Sequence, residues 1–167
     1  YGVTRHGLIE AVIGGEVAWP PRTAVQTDVV PGVMREERTS GAVMEDWREY
    51  ADLSLLGVIH LAGSGQIGGA RALYTDTLGM FDGTGFADKA NGHGQPYAAY
   101  KLALAVLAAK QIGHPPDASV LAALLDKQDT ASGGFFALYD ESGGLNDPNT
   151  ETTAYSILAL MAQGAAG

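Results

Sequence analysis

Apolar residues recur at helical spacing through most of the chain, in segments separated by glycine and proline. Asp117, and either Asn149 or Thr150, stand where N-caps belong, and glycine follows two of the segments. A weaker apolar pattern covers residues 3–15. The spacing predicts further helices over residues 45–63, 68–81, 95–113, 116–129 and 149–164.

Residues 16–41 interrupt this pattern. Three prolines lie among β-branched residues, and polar and apolar positions alternate weakly. The segment predicts either an extended arm or a short β-hairpin. We therefore divide the chain into residues 1–45, a helix followed by an arm, and residues 46–167, a repeat domain, within one globular unit.

An internal repeat relates three of the predicted helices. Aligning the segments at Glu49, Tyr97 and Glu151 superposes leucines and small residues, and the loop at residues 82–86 matches the loop at residues 131–135. Each unit is a helical hairpin with a glycine-rich loop, repeated at about fifty residues. A lone hairpin cannot bury its apolar face, so neighbouring units must stack.

The small residues of the aligned helices suit an inner layer, and the charged residues of the intervening helices suit an outer one. The first turns of the inner helices would then gather at one mouth, with Glu49, Tyr97 and Glu151 in equivalent positions. The predicted fold class is all-α. It is a toroid-like array of about three hairpins that forms a partial ring, with an extended N-terminal arm.

The stretch LLDKQDTASGGFF, residues 124–136, carries a leucine, glutamine and Gly-Gly-Phe pattern, and NTETTAYSILALM, residues 149–161, follows it as an inner helix. Both resemble the α/α-toroid proteins, which include terpenoid cyclases, protein prenyltransferase β-subunits and the thioester domains of the complement family. The resemblance extends over residues 95–163 and, less closely, over residues 47–89. It implies an array of helical hairpins.

The activities of those three families are not expected here. The chain has no DxDD motif, and without cysteine it can form neither the prenyltransferase zinc site nor the reactive thioester. Three inner helices are about half of a closed ring, so an apolar flank needs a cover. We expect an oligomer or a fragment of a longer chain, with the first forty residues in the contact.

Charge and composition narrow the function further. A net charge of −9 without a basic cluster argues against nucleic-acid binding, and no apolar run is long enough to span a membrane. The lack of cysteine excludes disulfides and is neutral about the compartment, because many secreted proteins also lack it. We expect an extracellular or cell-envelope location.

Carboxylates near the predicted mouth are candidate catalytic groups, since a pair at about 5 to 10 Å suits acid–base cleavage of a glycosidic bond. The alternative is that they are helix-terminus and turn residues. A histidine of the glycine-rich loop is either a general base or an exposed loop residue. The candidates are Glu49, Asp82, Asp88, His93 and Glu151.

Aromatic residues of the repeat, with a loop lysine, are candidates for ligand binding or else belong to the core: Trp47, Lys89, Tyr97, Tyr100 and Phe135. Asp140, Asn146 and Asp147 offer oxygen ligands that calcium accepts. Their spacing is not that of an EF-hand, and Asx-turns use the same residues. We therefore expect no cofactor, with calcium as the alternative.

Two hypotheses for the function follow. The first is a glycan-active enzyme domain, a polysaccharide hydrolase or lyase, which uses carboxylates and tyrosines at the mouth of the inner helices on a small-molecule or glycan ligand. It rests on an analogy of fold. The second is a non-catalytic binding or structural module that a partner chain completes.

Overall fold

The structure is a computed structural model that describes residues 23–30, 33–39, 46–91, 96–145 and 147–161. The chain divides into two compact units, residues 1–47 and 48–167. The helix predicted over residues 3–15 lies outside the described residues.

A β-hairpin is described in the first unit. Strands β1 (Thr23–Val30) and β2 (Val33–Thr39) pair antiparallel, with Thr23 opposite Thr39. Of the two predictions made for residues 16–41, the hairpin is the one that the described residues 23–30 and 33–39 adopt.

Five α-helices lie in the described part of the second unit, as its helical periodicity predicted. The predicted caps are confirmed. The Asp117 carboxylate accepts the N–H groups of Ser119 and Val120, and the Asn149 side chain accepts the N–H of Thr152 at 2.7 Å. After a 3₁₀ turn (Trp47–Glu49) the helices are α1 (Ala51–Gly63), α2 (Ile67–Leu78), α3 (Ala99–Gln111), α4 (Ala118–Leu125) and α5 (Thr150–Met161).

A small antiparallel sheet corrects the all-α prediction. Its strands are β3 (Tyr97–Ala98), β4 (Leu138–Asp140) and β5 (Gly143–Gly144), in the order β3-β4-β5. The predicted helix over residues 95–113 therefore begins later, at Ala99. Backbone N–H and C=O groups of these loop residues form no hydrogen bonds within a helix, and pairing between the strands satisfies them instead.

Helix α3 is the centre of the described packing, in contact with each of the other four helices. At its start, the Tyr100 hydroxyl donates to Asp52 in the first turn of α1, at 2.8 Å. At its end, the Lys110 ammonium donates to the carbonyl of Ala159 near the end of α5. Helices α1, α3 and α5 therefore run side by side in the same direction, as predicted for the inner helices.

The register of the repeat differs from the prediction. Glu49 and Tyr97 precede their helices, whereas Glu151 lies inside the first turn of α5. The contacts of the two glycine loops show which residues of the two repeats correspond. A Cβ at Gly85 would meet Tyr97, and a Cβ at Gly134 would meet Pro148. Pro148 is thus the counterpart of Tyr97, and the predicted alignment is about one helical turn out of register.

Tyr74 on α2 provides a test of this core. Its hydroxyl lies near the Asp117 backbone yet has no hydrogen-bond partner of normal geometry among the described residues. Burial, followed by the charge of Asp117, raises the pKa of Tyr74 from 10.0 to about 12. The folded state therefore favours the neutral phenol, a contribution that is complete below pH 10.0 and is lost as the pH rises towards 12.

We expect the Tyr74→Phe variant to be at least as stable as the wild type at pH 7, because it removes an unsatisfied buried hydroxyl. The stability of the variant relative to the wild type should increase as the pH rises from 10.0 to about 12. In this range the Tyr74 phenol ionises in the unfolded wild type, which favours unfolding, and the variant has no such group. Urea unfolding of both proteins across this range measures the difference. A constant difference would contradict the assignment.

Candidate functional site

A buried ion pair joins the first turn of α3 to the loop before it. The Lys101 ammonium lies 2.8 Å from the Asp88 carboxylate, and both side chains are almost fully excluded from solvent. The same ammonium donates to the Asn91 side-chain oxygen at 2.6 Å. Asn91 in turn donates to the Pro96 carbonyl, so the group is fixed on both sides.

Asp88 also supports the start of α1. Its Oδ2 accepts the N–H of Ala51 at 2.8 Å, and its Oδ1 accepts the N–H groups of Ala90 and Asn91. This carboxylate is therefore committed to three backbone donors and one ammonium. Its contacts are those of a brace between α1 and α3, and it is closed to a substrate.

Asp82 shapes the first glycine loop, residues 80–86. Its Oδ1 accepts the N–H groups of Thr84 and Gly85, and its Oδ2 accepts the Tyr97 hydroxyl at 2.6 Å. The Tyr97 ring packs 5.6 Å from that of Tyr139. Burial, then the charges of Asp82 and Tyr97, raises the pKa of Tyr139, which keeps its phenol protonated as a donor.

The remaining catalytic candidates are more exposed. Glu49 forms an ion pair with Lys89 at 3.0 Å, and its carbonyl accepts the Lys89 N–H. Glu151 lies exposed in the first turn of α5. His93 lies outside the described residues. The structure thus places Glu49, Lys89 and Asp88 near the start of α1, where Glu49 pairs with Lys89 and Asp88 pairs with Lys101.

The aromatic ligand candidates lie mainly within the fold. Tyr97 and Phe135 are buried, Tyr100 is half-buried against Asp52, and Trp47 is half-buried in its 3₁₀ turn. The N–H of Phe135 donates to the Thr153 hydroxyl at 3.0 Å, which ties the second loop to α5. Tyr97 and Phe135 therefore belong to the core, whereas Tyr100 and Trp47 are partly exposed.

The calcium candidates are only partly described. Asp140 accepts the N–H and the hydroxyl of Ser142, which holds its pKa below the usual range. Asp147 is exposed, and Asn146 lies outside the described residues. Within the described ranges, no three histidine, aspartate or glutamate side chains are grouped as a metal site requires.

A cleft of about 630 Å³ opens between the second glycine loop, residues 129–135, and the start of α5. We call it the α5 cleft. Its polar lining has two carboxylates and several hydroxyls, whereas Pro148, Ala154 and Ile157 are apolar. Hydrogen bonds from Ser132 hold the pKa of Asp129 below its usual range, so this rim carboxylate is ionised. The polar residues are Asp129, Ser132, Asp147, Asn149, Thr150 and Thr153.

An exposed apolar face runs along α5 beside the cleft. It consists of Ala154, Ile157, Leu158 and Met161, which recur at helical spacing, and we call it the α5 stripe. The three large side chains are 47, 55 and 72% exposed. Large apolar side chains are more often buried in a folded protein, so a continuous exposed stripe of them is a candidate interaction surface.

The sequence prediction missed Lys101, Tyr139 and the α5 stripe. Lys101 carried a usable signal, because it is a single charge near the start of a helix that is otherwise apolar and small on every side. Such a lysine must be buried and therefore needs a partner. An apolar flank was expected from the partial ring, but its residues on α5 were not identified.

Comparisons with known proteins return no relative: no protein-family model, no characterised protein and no solved structure matches this chain. Over the described residues, none of the helices has the length and apolar character needed to cross a membrane.

Proposed function

We propose that the chain is a non-catalytic helical-repeat module, part of a toroid-like array, and that it binds a partner through the α5 stripe. The observation that carries this proposal is the contrast between α3 and α5. The face of α3 that bears Lys110 contacts α5 and includes Ala103 and Val106, both fully buried.

The corrected register matches Ala103, Val106 and Lys110 of α3 with Ala154, Ile157 and Met161 of α5. Helix α5 thus presents to solvent the face through which α3 packs on its neighbour. The contacts of Asp82, Asp88 and Glu49 support the same conclusion, because each carboxylate serves a turn, a cap or an ion pair.

The stripe gives a direct test. We expect the isolated chain to self-associate as its concentration rises, and the Ile157→Glu/Leu158→Glu variant to remain monomeric, because two charges cannot be buried unpaired in an apolar contact. Sedimentation velocity measures the change. The matched control is Leu125→Glu, which changes an equally exposed leucine on α4, outside the stripe, and should associate like the wild type.

The proposal fails if the wild type is monomeric throughout. It also fails if both variants self-associate to the same extent as the wild type does, since the contact would then lie elsewhere. Circular dichroism confirms that each variant keeps its helices.

A second candidate is a glycan-active domain, which the composition of the α5 cleft favours. Carboxylates and hydroxyls beside apolar walls suit a sugar, and its volume of about 630 Å³ is that of a small-ligand site. Titration with a panel of glycans tests this candidate. Binding that is lost in Asp147→Asn and kept in Glu151→Gln would favour it.

A further inference from the structure

In the first repeat, an extended segment covers the glycine loop and the start of the inner helix. Strand β4 pairs with β3 there, and the Tyr139 hydroxyl donates to the Thr84 carbonyl at 2.9 Å. One residue further, the N–H of Ala99 donates to the Ala137 carbonyl at 3.0 Å. Gly85 makes room for this segment, because a Cβ there would lie 2.6 Å from the Tyr139 hydroxyl.

The α5 cleft is the same place in the second repeat. Gly134 is the counterpart of Gly85, Pro148 of Tyr97, and Thr150 of Ala99, and all three line the cleft. In the first repeat this position is covered by β4, whereas in the second repeat no described segment covers it. By sequence alignment of the two loops, Gly133 is the counterpart of Thr84, and its carbonyl accepts a hydrogen bond from the Gln128 side chain.

Cleft and stripe form one continuous surface, because Ala154 and Ile157 belong to both. In the first repeat, the corresponding surface is covered by one continuous stretch of chain, which contains a strand and then a helix. Strand β4 lies on the loop, and the inner helix α5 packs against the face of α3. A matching occupant therefore needs an extended segment followed by a helix, spaced as they are in residues 137–161.

We propose that the α5 cleft and the α5 stripe together receive a further helical hairpin of the design of residues 112–161, with an extended, tyrosine-bearing segment in the cleft. This inference rests on the proposed function and names its partner. The tyrosine hydroxyl of the incoming segment donates to the Gly133 carbonyl, as Tyr139 donates to Thr84. The second lone pair of this carbonyl is available beside its bond from Gln128.

The test duplicates the repeat within the full chain, so that a second copy of residues 112–167 follows residue 162. That junction reproduces the connection between α3 and α4. Hydrogen exchange followed by mass spectrometry is measured on the original chain and on a duplicated chain whose appended copy is segmentally labelled with ¹⁵N, so that otherwise identical peptides of the two copies differ in mass. At a concentration below that at which the original chain associates, we expect amides of α5 and of the second glycine loop in the original copy to exchange at least about tenfold more slowly after duplication.

Two variants of the duplicated chain separate the parts of the proposal. Ile157→Glu/Leu158→Glu in the first copy should abolish the protection of α5. Tyr139→Ala in the appended copy alone should abolish the protection of the second glycine loop while α5 stays protected. The original Tyr139 is unchanged, so the first repeat keeps its own packing in both variants.

Protection of α5 without protection of the loop would overturn the inference and leave the proposed function standing. Protection of neither, including the case in which the appended copy fails to fold, would overturn both. Protection of both that is unaffected by Tyr139→Ala would overturn the role of the tyrosine-bearing segment.

Discussion

Replacement of Lys101 by methionine is expected to lower the free energy of unfolding by about 3 to 5 kcal/mol, because it leaves the Asp88 carboxylate buried without a countercharge. Domains of this size are typically stable by about 5 to 15 kcal/mol, so a large share of the total would be lost. Equilibrium urea unfolding, with helix content as the signal, measures the change.

Lys89→Met is the matched control, since Lys89 follows Asp88 in the loop and forms an ion pair with Glu49 of similar length, 3.0 Å against 2.8 Å. That pair is exposed, and its loss should cost less than about 1 kcal/mol. Adding Asp88→Asn to Lys101→Met should recover part of the stability, because asparagine can still accept backbone N–H groups without a buried charge. Equal losses of stability from the two lysine substitutions would contradict the claim that the buried Lys101–Asp88 ion pair stabilises the contact between α1 and α3.

Gly85→Ala is expected to be the second most damaging substitution, at about 2 to 3 kcal/mol. The new methyl group would overlap the Tyr97 ring and lie 2.6 Å from the Tyr139 hydroxyl. Both tyrosines are buried and held by hydrogen bonds, so neither can move away freely. The contact between β4 and the first glycine loop should loosen, which thermal unfolding and exchange of the loop amides would detect.

The control for this substitution is Gly68→Ala. A Cβ at Gly68 meets nothing within 4 Å, and the residue lies exposed on α2. Alanine should therefore stabilise the helix, by up to about 1 kcal/mol. Destabilisation by Gly68→Ala, or a neutral effect of Gly85→Ala, would contradict the packing described for the first repeat.

Local patterns were sufficient to predict the helices and their caps. Apolar spacing located α1 to α5, and Asp117 and Asn149 act as the caps that their residue types suggested. These features depend on residues within one or two turns of one another, so a single sequence contains the information.

Features that depend on distant partners were missed or misplaced. Strands of two or three residues, such as Tyr97–Ala98, have no periodicity and exist because β4 pairs with them across the chain. Asp88 was a catalytic candidate because sequence alone could not show that Lys101 and three backbone donors surround it. The register of α5 was missed because the loop before it differs in length from the loop before α3.

The central claim is that α5 presents an open acceptor surface for a further repeat, and a crystal structure of the duplicated chain tests it most directly. We predict that the appended inner helix packs along Ile157, Leu158 and Met161, parallel to α5. The appended copy of Tyr139 should lie in the α5 cleft with its hydroxyl within hydrogen-bond distance of the Gly133 carbonyl. An appended repeat that is folded but packs elsewhere, with the α5 stripe and cleft still open to solvent, would contradict the claim.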